Sequence, residues 1–385
     1  MKPIAPRVAV GLAGYCTFIN LYSPQALLPS LAQEFGVGAG AISTTMTAGA
    51  LAVALTAPFS GAVADVLGRK RVIVAAMTAL SIPTLLIALA PDVATLVFWR
   101  FVQGLLLPPI FVVIIAYIGE EWPAAEVAGM AGLYTSGASL GGFSGRFLTG
   151  VLADLIGWRG AHVALAALTL GAALAVAILL PRERGFVRSA NLAASLRQML
   201  RHLRNPQLLA TYAVGFGTLF NFIATFTYVS FLLAAPPYGF SATLLGTVFF
   251  VYLIGSALTP LTGRAIARFG RRRFILIALG LWICGITVTL APSLVAIVVG
   301  LALCSTCGLI CQAVSTGYIT LTTAEGRSSA VGLYVTAFYI GGSFGAFLPG
   351  LTWDTAGWPA CVAMVIGMLA VMALVVALVW TRGRR

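Results

Sequence analysis

Residues 132–158 read GLYTSGASLGGFSGRFLTGVLADLIGW, and 200 positions later residues 332–358 read GLYVTAFYIGGSFGAFLPGLTWDTAGW, with 12 of 27 positions identical. Such self-similarity at a fixed distance is the mark of a duplicated unit. Two further matches keep nearly the same offset. GYCTFIN at 14–20 pairs with GFGTLFN at 215–221, and GAVADVLGRKR at 61–71 pairs with GRAIARFGRRR at 263–273. The chain therefore reads as two copies of one unit in parallel orientation.

The repeated unit is apolar. Of the 385 residues 60% are hydrophobic and 9% charged, and the mean hydropathy is +1.01. A soluble domain carries roughly 25% charged residues, so this chain lacks the charge to cover a surface facing water. That excludes a soluble enzyme, a disordered protein and a secreted disulfide scaffold. A membrane-crossing helix needs about 20 apolar residues, and apolar stretches separated by polar or Gly/Pro breaks count off as twelve spans. They lie at about 9–31, 41–63, 71–90, 95–118, 130–152 and 162–180, then 208–233, 242–262, 273–291, 294–321, 329–351 and 360–380. The expected organisation is a six-helix half over 1–180, a linker over 181–206 and a second six-helix half over 207–385. In the linker, Leu192, Leu196, Met199, Leu200 and Leu203 share a helical face bordered by Arg197, Arg201 and Arg204. That pattern suits a helix lying on an anionic leaflet of membrane lipid.

Charge sets the orientation. With the N-terminus inside, 20 of the 23 Lys and Arg residues fall in cytoplasmic segments, as the positive-inside rule requires. Both termini are then cytoplasmic. The net charge of +13 is explained by these loops, and no nucleic-acid partner is expected. All six cysteines sit in apolar runs, where they act as small hydrophobes. Cys304, Cys307 and Cys311 share a helix face without a His or carboxylate nearby, so no metal site and no cofactor are expected.

Gly61, Asp65, Gly68, Arg69, Lys70 and Arg71 fit the G-x-x-x-D-x-x-G-R-[RK]-[RK] pattern between helices 2 and 3 of the major facilitator superfamily, and Arg100, Gln103 and Gly104 resemble its R-x-x-Q-G motif in helix 4. With the duplication, the resemblance covers almost the whole chain and implies an all-α fold of twelve transmembrane helices in two pseudo-symmetric halves. LYSPQALLPSLAQEFG near helix 1 and GLYTSGASLGGFSGR in helix 5 resemble the bacterial 12-helix drug- and metabolite-efflux branch of proton antiporters. The resemblance also implies that Asp65 meets the start of helix 11, around Ser328 and Ser329, as a cytoplasmic latch; a helix N-terminus favours an anion. Gly61 and Gly68 are expected to bracket a tight turn.

Arg100 and Arg146 fall within spans, where charged side chains are rare and face a polar interior. No Asp or Glu falls at a midplane position. Asp154, eight residues beyond Arg146, is the expected partner of a coupling pair, with Arg100 as a further candidate. D-x-x-G-W recurs at Asp354, which favours a turn-shaping role. Thr17, Asn20 and Pro24 on helix 1 and Thr218, Asn221 and Thr225 on helix 7 repeat at helical spacing. Since superfamily helices 1, 4, 7 and 10 line the path, the expected cavity residues are Tyr15, Asn20, Gln25, Asn221, Tyr228 and Gln312. An Asn can equally tie helices together.

These features point to a monomeric secondary transporter of the bacterial inner membrane. It would export small organic molecules by alternating access, with protons as coupling ion. No phosphate-binding Walker loop is present, and no clustered acid, base or nucleophile suggests an enzyme. The alternatives are an organic-anion exchanger or uptake carrier, and a lipid flippase.

Overall fold

The computed structural model describes residues 4–183, 199–323 and 327–380, without the side chains of 320, 327 and 328. Helix is the regular structure of the described residues, which include no strand. In chain order the helices are α1 (Ile4–Tyr22), α2 (Leu28–Phe35), α3 (Ala39–Leu67), α4 (Arg69–Ile87), α5 (Val93–Leu106), α6 (Pro108–Glu121) and α7 (Ala124–Leu179). They continue with α8 (Pro206–Ala234), α9 (Ala242–Val248), α10 (Val251–Leu258), α11 (Thr262–Phe269), α12 (Arg271–Val288), α13 (Leu294–Thr322), α14 (Arg327–Phe347) and α15 (Gly350–Val379). Ten stretches are long and apolar enough to cross a membrane. The longest, α7, turns at Gly157, whose φ of 76° is open to glycine, so it supplies two crossings. α12, which opens on Arg271, Arg272 and Arg273, is not among those ten, and the chain is an all-α membrane protein.

Several boundaries differ from the expected ones for local reasons. The span expected over 9–31 stops at Tyr22, because Ser23-Pro24 follows and proline cannot continue the hydrogen-bond ladder; α2 is a separate short helix. The span expected over 95–118 breaks at Leu107 before Pro108 and Pro109. The span expected over 242–262 is a chain of short helices running on to Phe269, interrupted at Thr259–Leu261 around Pro260. In the linker, Leu192, Leu196 and Arg197 lie outside the described residues, while Leu200 and Leu203 are exposed.

The described residues fall into two compact units. Of the described residues, unit 1 takes 4–37, 48–183 and 240–247, and unit 2 takes 38–47, 199–239, 248–323 and 327–380. In unit 1, α7 packs on α1 through a glycine seam. A Cβ added at Gly137, Gly141 or Gly145 would lie 2.2, 2.2 or 2.5 Å from the carbonyl oxygen of Gly11, Tyr15 or Ile19. Both series advance by four residues, so one stripe of missing side chains lets two backbones touch. Unit 2 repeats the seam between α14 and α8: Gly341 and Gly345 would place a Cβ 2.0 and 2.3 Å from the oxygens of Phe216 and Phe220. The duplicated glycines are packing devices.

Candidate functional site

Where α1 ends, a buried polar cluster joins four elements of unit 1. Asn20 donates from Nδ2 to the Cys16 carbonyl at 2.8 Å and to Thr169 Oγ1 at 2.9 Å. Its Oδ1 accepts from Thr84 Oγ1 at 2.9 Å and from Gln103 Nε2 at 3.2 Å, and Gln103 also donates to Thr84 at 2.8 Å. Arg100, 2% exposed, donates from Nη1 to the Asn20 carbonyl at 3.0 Å and from Nη2 to the Leu21 carbonyl at 2.8 Å. A further bond runs from Nη1 to Gln103 Oε1. A guanidinium is suited to this place, because the last carbonyls of a helix lack partners and carry partial negative charge. Gly104, the last residue of that motif, would place a Cβ 2.5 Å from the Gly49 oxygen, so it serves the close approach of α5 to α3.

Arg146 is held near the same end of α1. Its Nε donates to Gln25 Oε1 at 2.7 Å and its Nη1 to the Gly142 carbonyl at 2.8 Å, while Cζ stands 3.9 Å from the centroid of the Tyr22 ring. Thr149 donates to the Ser23 carbonyl at 2.8 Å, so α7 grips the whole turn after α1. Asp154 points elsewhere: its Oδ2 accepts the backbone N–H of Thr243 at 2.8 Å. The expected Arg146–Asp154 pair is replaced by these separate contacts, since eight helical residues span about 12 Å.

Unit 2 carries no copy of the polar cluster. The repeat offsets of 200–202 place Ile286, Leu301, Cys304 and Leu369 where unit 1 has Thr84, Arg100, Gln103 and Thr169. Asn221, the counterpart of Asn20, donates to Met372 Sδ at 3.4 Å, and its buried Oδ1 has no partner. Tyr228 is buried and donates to the Ala346 carbonyl at 2.7 Å. Tyr15 and Gln312 are half-buried; neither joins the cluster of Asn20 or the contacts of Asn221.

The signature loop forms its own network in unit 1. Gly68 has φ 94° and begins α4, whereas Gly61 lies inside α3 with open space beside it, so only Gly68 serves the turn. Asp65 pairs with Arg69 at 2.9 Å, and Arg69 makes a fork on Glu120. Glu183 Oε2 lies 3.4 Å from the Lys70 backbone nitrogen. Arg71 is exposed. The expected partner region of Asp65 starts at Ser328, whose side chain is outside the described residues. Beyond the spans, Glu34 accepts from Trp158 Nε1 at 2.8 Å and pairs with Arg159, and these bonds hold its carboxyl below the usual carboxylate range.

Thr84, Thr169 and Tyr22 completed these clusters without being singled out in the sequence, where a Thr or Tyr in an apolar run carries no signal of its partner. Among the described residues no three His, Cys, Asp or Glu side chains gather as a metal set.

A family model described as Major Facilitator Superfamily matches residues 10–235 and 214–385. The Escherichia coli inner membrane transport protein YnfM is 32% identical over 375 residues, covering 96% of this chain and 89% of its own. Among solved structures, the nucleoside transporter NupG shares the fold with a TM-score of 0.77 at 13% identity, covering 99% of this chain and 100% of its own. A human organic anion transporter does so with a TM-score of 0.72 at 18% identity, covering 98% and 100%.

Proposed function

Because the chain belongs to the major facilitator superfamily, we propose that this membrane transporter exports small organic molecules across the bacterial inner membrane by alternating access, coupled to protons. The observation that carries the reading is the repeated glycine seam, which builds each unit around the same close helix pair. Alternating access needs two such bodies around one path. Export and proton coupling rest on the resemblance of the helix 1 and helix 5 segments to the efflux branch. The inner-membrane placement is supported by the likeness to YnfM, and cytoplasmic termini by the loop charges.

A second reading, exchange or uptake of an organic anion, is favoured by one feature. The buried charged residues among those described are Arg100 and Arg146, with no carboxylate. The test is transport in proteoliposomes with imposed pH gradients, across cationic, neutral and anionic compounds. Stimulation by an opposing proton gradient is the expected result. Anion counterflow without a pH response would replace the proposal with the exchanger.

A further inference from the structure

In the D-x-x-G-W repeats, Gly157 and Gly357 take positive φ at the break, and Trp158 and Trp358 are buried; the break itself does not use the aspartates. In unit 1, residues 240–247 lie against α7. A Cβ at Gly150 would be 2.3 Å from the Ala242 oxygen, one at Gly246 would be 2.8 Å from Phe147 Cα, and Asp154 takes the N–H of Thr243. In unit 2, residues 38–47 stand in the same relation to α14 and α15. A Cβ at Gly40 would be 2.7 Å from the Gly350 oxygen, and Ser343 and Thr47 exchange hydroxyl-to-carbonyl bonds at 3.2 and 3.4 Å. The Asp354 carboxylate lies beside Gly38, where a Cβ would be 3.2 Å from Oδ2. The repeat offsets map Gly150 on Gly350, Asp154 on Asp354 and Ala242 on Gly40.

We propose that Asp154 and Asp354 are matched outer clasps: Asp154 holds the first-turn N–H of Thr243 in α9 and Asp354 stands beside Gly38, just before α3, each reaching a segment from the other half of the sequence. A carboxylate accepting a first-turn N–H makes a charge-assisted bond to a donor with no helical partner. The glycines let the backbones mesh without interlocking side chains, so each junction can part and re-form. This rests on the alternating-access reading, but the clasps are tested without substrate or proton gradient, so failure of the export reading leaves them standing.

The test uses the full chain in liposomes with Cys284→Ser and paired spin labels at Ile156 and Leu244, or at Ala41 and Thr355, all exposed. Asp154→Asn should raise the ratio of long to short distances at the first junction several-fold, Asp354→Asn at the second, and Asp154→Glu should keep the first short. Asn is isosteric with Asp and both positions are exposed, so insertion is expected, and each variant tests its own junction. Unchanged distributions in both Asn variants would overturn the proposal.

Discussion

Arg100 donates to the backbone carbonyl of Asn20, the carbonyl whose helical partner would be the N–H of residue 24, and residue 24 is proline. A buried cation, together with the Ser23 hydroxyl at 3.1 Å, thus supplies donors in place of the one that the sequence of α1 removes. Leu21, one residue on, is served by the other arm of the same guanidinium. Arg100→Lys keeps the charge but cannot fork onto two carbonyls. Arg100→Met leaves the Leu21 carbonyl without its donor, while the Asn20 carbonyl keeps the bond from Ser23 Oγ at 3.1 Å, and should cost about 1–3 kcal/mol. Thermal unfolding in detergent checks this, with Met expected to be worse than Lys.

The two pseudo-equivalent asparagines should respond in opposite ways. Asn20→Leu removes the bonds to Thr84, Gln103 and Thr169, which keep their other partners, and should destabilise by about 1–2 kcal/mol. Asn221→Leu removes an unpartnered acceptor from apolar surroundings and should be neutral or stabilising. Comparing their thermal shifts at matched expression tests the contrast. Equal losses would mean that the two sites do the same structural work.

For Arg146, the planar group is required by Gln25, the Gly142 carbonyl and the Tyr22 ring together. Arg146→Lys loses the fork and the stacking, and transport should fall about tenfold. Arg146→Ala should abolish coupled transport while the protein still inserts. Near wild-type, pH-responsive transport by the alanine variant would leave Arg146 as a packing residue.

The glycine seam predicts a graded steric cost. Gly341→Ala and Gly141→Ala place a methyl where a backbone oxygen stands, and each should cost about 1–3 kcal/mol by forcing the helices apart. Gly171→Ala, with nothing within 4 Å, should be silent or slightly stabilising. Melting temperatures of the three variants decide it.

Acid should loosen the tie of Glu34. Its carboxyl is held below the usual range, first by the bond from Arg159. The stabilisation is therefore full above the unfolded-state value of about 4.3 and is lost as pH falls through the lower folded-state value. Both partners are close to half exposed, which keeps the effect small. Glu34→Gln should lower the melting temperature slightly at pH 7 and make no difference near pH 3.

Composition, duplication and the signature loop determined that this chain is a two-fold repeated helical membrane protein. Those properties are sums and spacings along the chain, and apolar length alone forces helices across a bilayer. The breaks at Pro24 and Pro108 were legible too, because proline acts locally. The partners of the charged residues were not. Arg146 and Asp154 lie eight residues apart on one helix, yet Gln25 and Thr243, distant in sequence, take their hydrogen bonds. Asn20 and Asn221 occupy matching places in the repeat, but only the first is surrounded by donors and acceptors. A hydrogen bond depends on what stands within about 3 Å. That neighbourhood is assembled from four or five separate helices, so only their packing decides which buried polar group is satisfied.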